Sequence, residues 1–374
     1  MKVTIICDVL GESNNGTSIA ARNLIAYLRE QGHEVVVVAP EGSPDVSVTV
    51  PTRNLGKFLN GVLEKNGVKL ARPDRKILEA VIRDADVVHL LVPFPLSNAA
   101  IRIAEKYNKP ITASFHCQAE NISAHVGMMD WHLFSHITYQ VFYHNTYRHC
   151  DAVHYPTEFI REVFESETHK KTPAHVISNG VNDVFVPPVS PVKNEKFTIV
   201  CSGRYSKEKA QQQLIRAVAL LPYRDQIRIV LPGDGPRREY LMKTAEKNHI
   251  ECEFRFFPRE EMVRVLQGAD LYVHTAVVEI EAIACTEAIC CGAVPVICDS
   301  PRSATRFFAR GDKTLYRMYD IRDLADKIDY WYRHPEEKAK KSREYEDMRG
   351  GFSQRACMRE MEQMLEEAIE GKRA

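Results

Sequence analysis

Apolar runs of strand type alternate with stretches of helical spacing along almost the whole chain, and this alternation constrains the fold more than any other feature. Val3 to Cys7 is a short apolar run, Ser18 to Glu30 places Ile19, Ala20, Leu24 and Leu28 at helical spacing, and Glu34 to Ala39 is β-branched. The rhythm returns with Asp86 to Val92, Ala99 to Tyr107, Pro110 to Phe115, and Ala152 to Tyr155 followed by a helix from Thr157. Alternation of this kind predicts an α/β protein with a parallel sheet covered by helices.

Between Val186 and Glu195 the chain reads VPPVSPVKNE, and Pro187, Pro188 and Pro191 make this the candidate link between domains. After it the rhythm restarts. Strands are expected at Phe197 to Cys201, Ile227 to Leu231, Glu253 to Phe257, Leu271 to His274 and Val294 to Cys298, with helices through Gln211 to Leu221, Arg237 to Lys247, Arg259 to Gln267 and Ala282 to Cys291. Ile321 to Tyr332 and Lys338 to Ile369 are charged helical segments with apolar spacing, and no third sheet follows. The expected architecture is two doubly wound Rossmann-like domains facing a cleft: residues 1–186, a linker at 187–195, residues 196–335, and helices at 336–374 that return toward the first domain. Ligands of such sheets bind where strand ends lead into helices.

Several functions are disfavoured by composition. Fifty Lys plus Arg balance fifty Asp plus Glu among 374 residues, so no net field draws the chain to nucleic acid or anionic lipid, and no nucleic-acid partner is expected. The ten cysteines are scattered through apolar runs without a C-x-x-C pair, as in the reduced core of a cytoplasmic protein. Met1 leads almost directly into a strand, leaving no basic and apolar leader, and no apolar stretch approaches the roughly 20 residues needed to cross a bilayer. Any work on a membrane is expected from its inner surface.

Four segments carry candidate chemistry. The first strand–helix loop, Asp8 to Thr17, reads DVLGESNNGT and lacks G-x-G-x-x-G, yet a helix start at Asn15-Gly16-Thr17 offers N–H groups to an anion as readily as it forms a plain turn. Cys201-Ser-Gly203-Arg204-Tyr-Ser-Lys-Glu-Lys209 follows a strand, where Arg204 can fork onto phosphate oxygens and Lys209 can add a compact charge; a solvated basic turn is the alternative. Gly233-Asp-Gly235-Pro ends the next strand and permits close backbone approach. Glu279-Ile280-Glu281-Ala282-Ile283-Ala-Cys-Thr-Glu287 runs from a loop into a helix, and eight positions at about 1.5 Å put Glu279 and Glu287 roughly 12 Å apart along it, suited to gripping both ends of one ligand. The competing reading puts Glu281 and Glu287 on a polar helix face, which the apolar residues between them argue against. His132 and His136 are four apart, but Leu133 stands where a metalloprotease helix would carry Glu.

Taken in order, Gly203-Arg204 with Lys209, Gly233-x-Gly235, the E-x7-E of Glu279 and Glu287, and Gly292-x-x-Pro295-Val296-Ile297 resemble the retaining glycosyltransferases of family 4, which have the two-domain GT-B fold. Asn179-Gly180-Val181 is similar to that family's inter-domain segment. The resemblance implies that Arg204 and Lys209 bind the diphosphate of a nucleotide sugar, offsetting charge as it leaves. It further implies that Glu287 takes the ribose hydroxyls, that Glu279 takes hydroxyls of the donor sugar with Ile280, Glu281, Ala282 and Ile283 alongside, and that Gly203 and Gly235 let the backbone approach. Gly16 and Thr17 would join them, Phe257, Pro258 and Arg259 would meet the base, and His116 would lie beside the sugar, unless it is simply a hydrogen-bonded histidine at a strand end. The family needs no metal, and the sequence lacks an Asp-x-Asp pair at a strand end.

Within the family, Phe115 to Asn121, Ser303-Ala-Thr305 and Asp329-Tyr-Trp331 look most similar to bacterial 1,2-diacylglycerol 3-alpha-glucosyltransferases, implying glucose transfer from UDP-glucose to a lipid hydroxyl. A soluble or saccharide acceptor, or a nucleotide-sugar binding protein without activity, would fit the same fold. Two departures stand out: the family has glycine and an aromatic after its first Glu where this chain has Ile280, Glu281 and Ala282, and a Gly-Gly pair where it has Asn15-Gly16. Met128 to Cys150 is rich in aromatics, methionine and histidine, and suits either a membrane interface or packing on the first sheet. Residues 1–186 hold 18 Lys plus Arg against 20 Asp plus Glu, so no strongly cationic lipid-binding face is expected from totals.

Overall fold

A computed structural model describes residues 1–8, 16–40, 46–54, 56, 70–121, 131–190, 192 and 194–373. The chain divides into two compact units, Met1–Asn179 with Arg355–Ala374, and Gly180–Gln354.

The first unit is built from β1 (Lys2–Ile6), α1 (Gly16–Glu30), β2 (Glu34–Pro40), β3 (Val48–Val50), α2 (Arg75–Arg83), β4 (Val87–Leu90), α3 (Pro95–Lys106), β5 (Ile111–Ser114), α4 (His132–Asn145), β6 (Ala152–Tyr155), α5 (Glu158–Thr168) and β7 (Ala174–Val176). Its seven strands are all parallel in the order β3-β2-β1-β4-β5-β6-β7. Because both faces are covered, the central strands are buried throughout, as their unbroken apolar runs require. Helix starts are set by side-chain caps: Asp74 accepts from the N–H groups of Lys76 (2.9 Å) and Ile77 (3.1 Å), and Thr157 from that of Ile160 (3.4 Å). Each such cap contributes about 0.5–2 kcal/mol.

The second unit continues with β8 (Phe197–Val200), α6 (Gln212–Ala219), β9 (Ile227–Pro232), α7 (Arg238–Asn248), β10 (Cys252–Arg255), α8 (Arg259–Gln267), β11 (Leu271–His274), α9 (Ile283–Cys290), β12 (Pro295–Asp299), β13 (Leu315–Arg317), α10 (Ile321–Arg333), α11 (Pro335–Glu344) and, passing back to the first unit, α12 (Gln354–Arg373). The six-stranded parallel sheet has the order β10-β9-β8-β11-β12-β13. Strand order reverses between β8 and β11, so the loops that follow these two strands flank the crevice where doubly wound sheets take ligands.

Three features differ from the sequence expectations. The short edge strands β3, β7 and β13 carry too few residues to show a period. The helical segment expected from Lys338 to Ile369 is broken by a 3₁₀ stretch, Glu346–Phe352, where Gly350 and Gly351 weaken the helix. The compact units also part at Asn179 and Gly180 rather than within the proline-rich 187–195 segment. Val181 exchanges backbone bonds with Phe352 (2.6 Å) and Gln354 (3.0 Å), and a Cβ on Gly180 would stand 2.5 Å from the Cα of Gln354, so these glycine and valine positions belong with the second unit. Within α12, Cys357, Met358, Met361, Met364, Leu365, Ala368 and Ile369 are buried and join Val3, Ile5, Leu24 and Leu28 in the first unit's core. Residues 336–354 stay with the second unit.

Candidate functional site

The loops after β8, β9 and β11 assemble most of the candidate residues of the second unit. Gly203 and Gly233 are in backbone contact: the Gly203 N–H donates to the carbonyl of Pro232 (2.9 Å), and a Cβ on Gly233 would stand 2.2 Å from the Gly203 oxygen. A Cβ on Gly235 would meet Tyr205 N at 2.8 Å and the Arg204 side chain at 3.1 Å. Both glycines are thus demanded by close approach of chain to chain. Tyr205 N–H donates to the Asp234 carbonyl (3.0 Å), and Gln211 Nε2 to the Arg204 carbonyl (2.9 Å), so the turn that presents Arg204 is held from two sides.

A second set of bonds ties this turn to the end of β11. The Thr275 hydroxyl donates to the Lys209 carbonyl (2.7 Å), and the Val277 N–H to the Glu208 carbonyl (2.8 Å). The outcome is an ion pair between the Lys209 ammonium and Oε1 of Glu279. Burial by itself would raise the Glu279 carboxyl, but the Lys209 charge, followed by His274, reverses that and holds it down at about 2. Glu279 is fixed through its backbone as well, its carbonyl accepting from Ala304 N–H (2.9 Å) and its N–H reaching the Arg302 carbonyl (3.3 Å).

Glu279 and Glu287 do not share one helix. Ala282 sits at φ +64°, ψ +63°, a left-handed conformation that ends the loop, and α9 begins only at Ile283. The axial spacing of roughly 12 Å expected from the sequence therefore does not apply, and Glu281 is a buried loop residue instead of part of a polar helix face. A left-handed residue that carries a Cβ costs about 1–2 kcal/mol, so the surrounding packing must hold Ala282 there. Glu287 lies half-buried on α9; burial pushes its carboxyl up to about 7, opposed in part by Arg259. Among the described residues no side chain hydrogen-bonds or ion-pairs with it. A carboxyl in that position has its full capacity for ligand hydroxyls.

Phe257 is 9% exposed and packs with Val230, Tyr272 and Ala282, with the Arg255 guanidinium 4.2 Å over its ring, while its neighbour Phe256 is the exposed ring at 51%. The Phe257 side chain is committed to the core, and Pro258, which starts α8, stands exposed beside it.

His116, Gly16 and Thr17 lie in the first unit. Gly16 opens α1, and a Cβ there would meet nothing within 4 Å, so this glycine is not demanded by packing; residues 9–15 of the same loop lie outside the described ones. His116 follows β5, edge-on to His154 at 5.7 Å between ring centres. Burial, then the neighbouring His154 and His89, hold His116 well below the usual histidine range, so it is neutral at pH 7. Behind it runs a buried chain that pattern reading did not reveal. Thr112 Oγ1 contacts His89 Nδ1 (2.9 Å), His89 Nε2 contacts Ser114 Oγ (3.0 Å), Ser114 Oγ contacts His154 Nδ1 (2.9 Å), and His154 Nε2 contacts the Ile177 carbonyl (2.6 Å). A carbonyl only accepts, so His154 carries its proton on Nε2, and each earlier donor in the chain follows from that. The signal in the sequence was polar residues at strand positions that are otherwise apolar.

Residues 14–185 match the model described as Glycosyltransferase Family 4, and residues 172–347 the model described as Glycosyl transferases group 1. The chain is similar to an alpha-monoglucosyldiacylglycerol synthase of Streptococcus pneumoniae, 23% identical over 79% of this chain and 70% of the relative. It is also similar to a GDP-mannose-dependent alpha-mannosyltransferase of Mycolicibacterium smegmatis, 24% identical over 79% of each. Among solved structures, sucrose-phosphate synthase of Thermosynechococcus elongatus superposes with a TM-score of 0.80 at 16% identity, covering 99% of this chain and 100% of that one. With one glycosyltransferase model over its first half, another over its second, and two parallel-sheet Rossmann-like units of the GT-B kind, the chain belongs to the family 4 glycosyltransferases.

Proposed function

We propose that this glycosyltransferase moves glucose from UDP-glucose to the free hydroxyl of 1,2-diacylglycerol with retention at the anomeric carbon and without a metal. The observation that carries the donor reading is the Glu279 carboxylate: one oxygen is engaged by Lys209, and no described side chain bonds the other, which is therefore able to accept from a sugar hydroxyl. Arg204 and the Lys209 ammonium supply the positive charge that a metal would otherwise bring to a departing diphosphate. In the reaction the bond from C1 to the diphosphate oxygen breaks, a bond from C1 to the acceptor oxygen forms on the same face, and the acceptor proton passes to the leaving diphosphate. Glu287 takes the ribose hydroxyls, and the close-packed glycine turns at 203, 233 and 235, whose own N–H groups are bonded within the protein, hold the turn that presents Arg204.

Two observations support a lipid acceptor. The pneumococcal relative is named for a glucosyldiacylglycerol product. The other is α4: Leu133, Ile137 and Val141, exposed at 63, 52 and 47%, stand at four-residue spacing in one apolar row, with Trp131, 59% exposed, just before the helix. The helix contains no acidic residue that would oppose contact with anionic headgroups. Among the described residues no helix is long and apolar enough to cross a membrane, so contact through such a row would be at the surface.

A mass-spectrometric screen tests the reading. UDP-glucose, UDP-galactose, UDP-N-acetylglucosamine and GDP-mannose are each offered with and without diacylglycerol liposomes and EDTA. Hexosyl-diacylglycerol made from UDP-glucose in EDTA is the expected product. Release of nucleotide with no lipid product would remove the lipid acceptor while leaving the transferase, and product from GDP-mannose alone would replace the donor.

A further inference from the structure

We propose that His274 is a positioning residue for the donor sugar, acting through Glu279; the proposal rests on the assignment of Glu279 to sugar hydroxyls. His274 is the last residue of β11, on the strand beside the reversal in strand order, and its side chain is 3% exposed. The three residues before it, Leu271, Tyr272 and Val273, are fully buried, and an imidazole in such a strand is costly unless its nitrogens are matched. Its Nε2 stands 3.2 Å from Oε1 of Glu279, at ion-pair distance though off the line of a hydrogen bond. Its Nδ1 stands 3.5 Å from the Tyr272 hydroxyl, which in turn contacts Ser202 Oγ at 3.0 Å.

Direction follows from the end of this chain. A carboxylate at 3.2 Å favours the proton on Nε2 by charge even without a linear hydrogen bond, and in that tautomer Nδ1 accepts from Tyr272, whose oxygen accepts from Ser202. The polar chain thus runs from the loop after β8, through β11, to Glu279. Both Nε2 of His274 and the Lys209 ammonium address the same oxygen, Oε1. Gripped on one oxygen from two directions, the carboxylate loses freedom to rotate, and Oε2 is presented in one orientation. Lys209 alone would leave a pivot, because an ammonium on a four-carbon stem is a mobile point charge. The rigid imidazole, fixed in turn by Tyr272, removes it. The orientation of Oε2 bears on how the donor sugar is held for reaction, and so on turnover more than on affinity for free UDP, which has no sugar.

The experiment compares His274→Leu, which removes the donor, with His274→Gln, whose amide N–H reaches the place of Nε2. Turnover is measured with whichever of the four nucleotide sugars above the wild-type protein uses, and binding of free UDP by calorimetry. The expected result for His274→Leu is at least a tenfold loss in kcat, with UDP affinity within twofold of wild type; His274→Gln recovers a large part of kcat. A wild-type level of kcat in His274→Leu overturns the proposal, as does an equal loss of kcat and UDP affinity in both variants, which would mark His274 as a core residue. If His274→Leu does not fold, His274→Gln with Tyr272→Phe decides it: the proposal requires kcat to fall in the double variant relative to His274→Gln, and unchanged kcat overturns it. A wild-type protein that turns over none of the donors overturns the functional reading beneath it, an outcome separate from any of these.

Discussion

Lys209 and Glu279, 70 positions apart, form an ion pair that joins the loop after β8 to the loop after β11. Each is mostly buried, at 23 and 12% side-chain exposure, so neither charge is well served by water once the other is gone.

Replacing Lys209 by Met should therefore act twice. Turnover should fall on the order of 10², as for loss of one charge-stabilising donor, and stability should fall by about 1–3 kcal/mol because Glu279 is left unpaired. Adding Glu279→Gln should restore the stability and not the turnover. Thermal unfolding and donor turnover of the two variants against wild type check this, and a double variant as unstable as Lys209→Met would remove the unpaired-charge explanation.

The same pair sets an acid limit. With a folded value of about 2 against an ordinary 4.5, the Glu279 carboxylate contributes stability that is present above pH 4.5 and lost as pH falls toward 2. Glu287 has the opposite sign: raised to about 7, it lowers stability as pH climbs from 4.5 through 7. Glu287→Gln should thus gain about 2–3 kcal/mol over wild type at pH 8, with no gain near pH 4, while binding UDP more weakly. Denaturant titration at the two pH values reads the first part and calorimetry the second. Equal effects at both pH values would mean that Glu287 is not held protonated by burial.

Ala282→Gly tests the turn before α9. Relief of the left-handed Cβ is worth about 1–2 kcal/mol, offset by up to about 1 kcal/mol of extra freedom in the unfolded chain, so the variant should be as stable as wild type or slightly more so. Ala282→Val should lose stability. A clear loss in the glycine variant would show that the Ala282 methyl, buried in the second unit's core, matters more than the backbone conformation.

For α4, replacing Leu133 and Ile137 together by Ser should leave nucleotide-sugar hydrolysis unchanged and reduce product on diacylglycerol vesicles at least tenfold. Both side chains are exposed, so stability should move by no more than about 0.5 kcal/mol. Cosedimentation with the vesicles separates lost attachment from lost chemistry, and unaltered lipid product would mean that the apolar row does not face the acceptor.

Much of this protein was legible in its one-dimensional pattern because short-range physics carries it. Unbroken apolar runs fall on parallel strands and period-3.6 stretches on helices, and turn glycines mark the strand ends, so Gly203, Arg204, Lys209 and Gly235 were located before any contact was known. The break at Gly350-Gly351 was not read, because the apolar spacing on either side of it continues as if through one helix.

Residue types and spacing along the chain determined the two α/β sheets and the strand-end loops that bear the candidate residues, since burial on both faces leaves few other uses for such runs. What spacing could not convey was which oxygen, which proton and which partner. The Lys209–Glu279 pair, the convergence of His274 on the same oxygen, and the opposite shifts of Glu279 and Glu287 all depend on residues far apart in sequence. Only tertiary packing brings those groups within the few ångströms at which charge and desolvation decide what each one does.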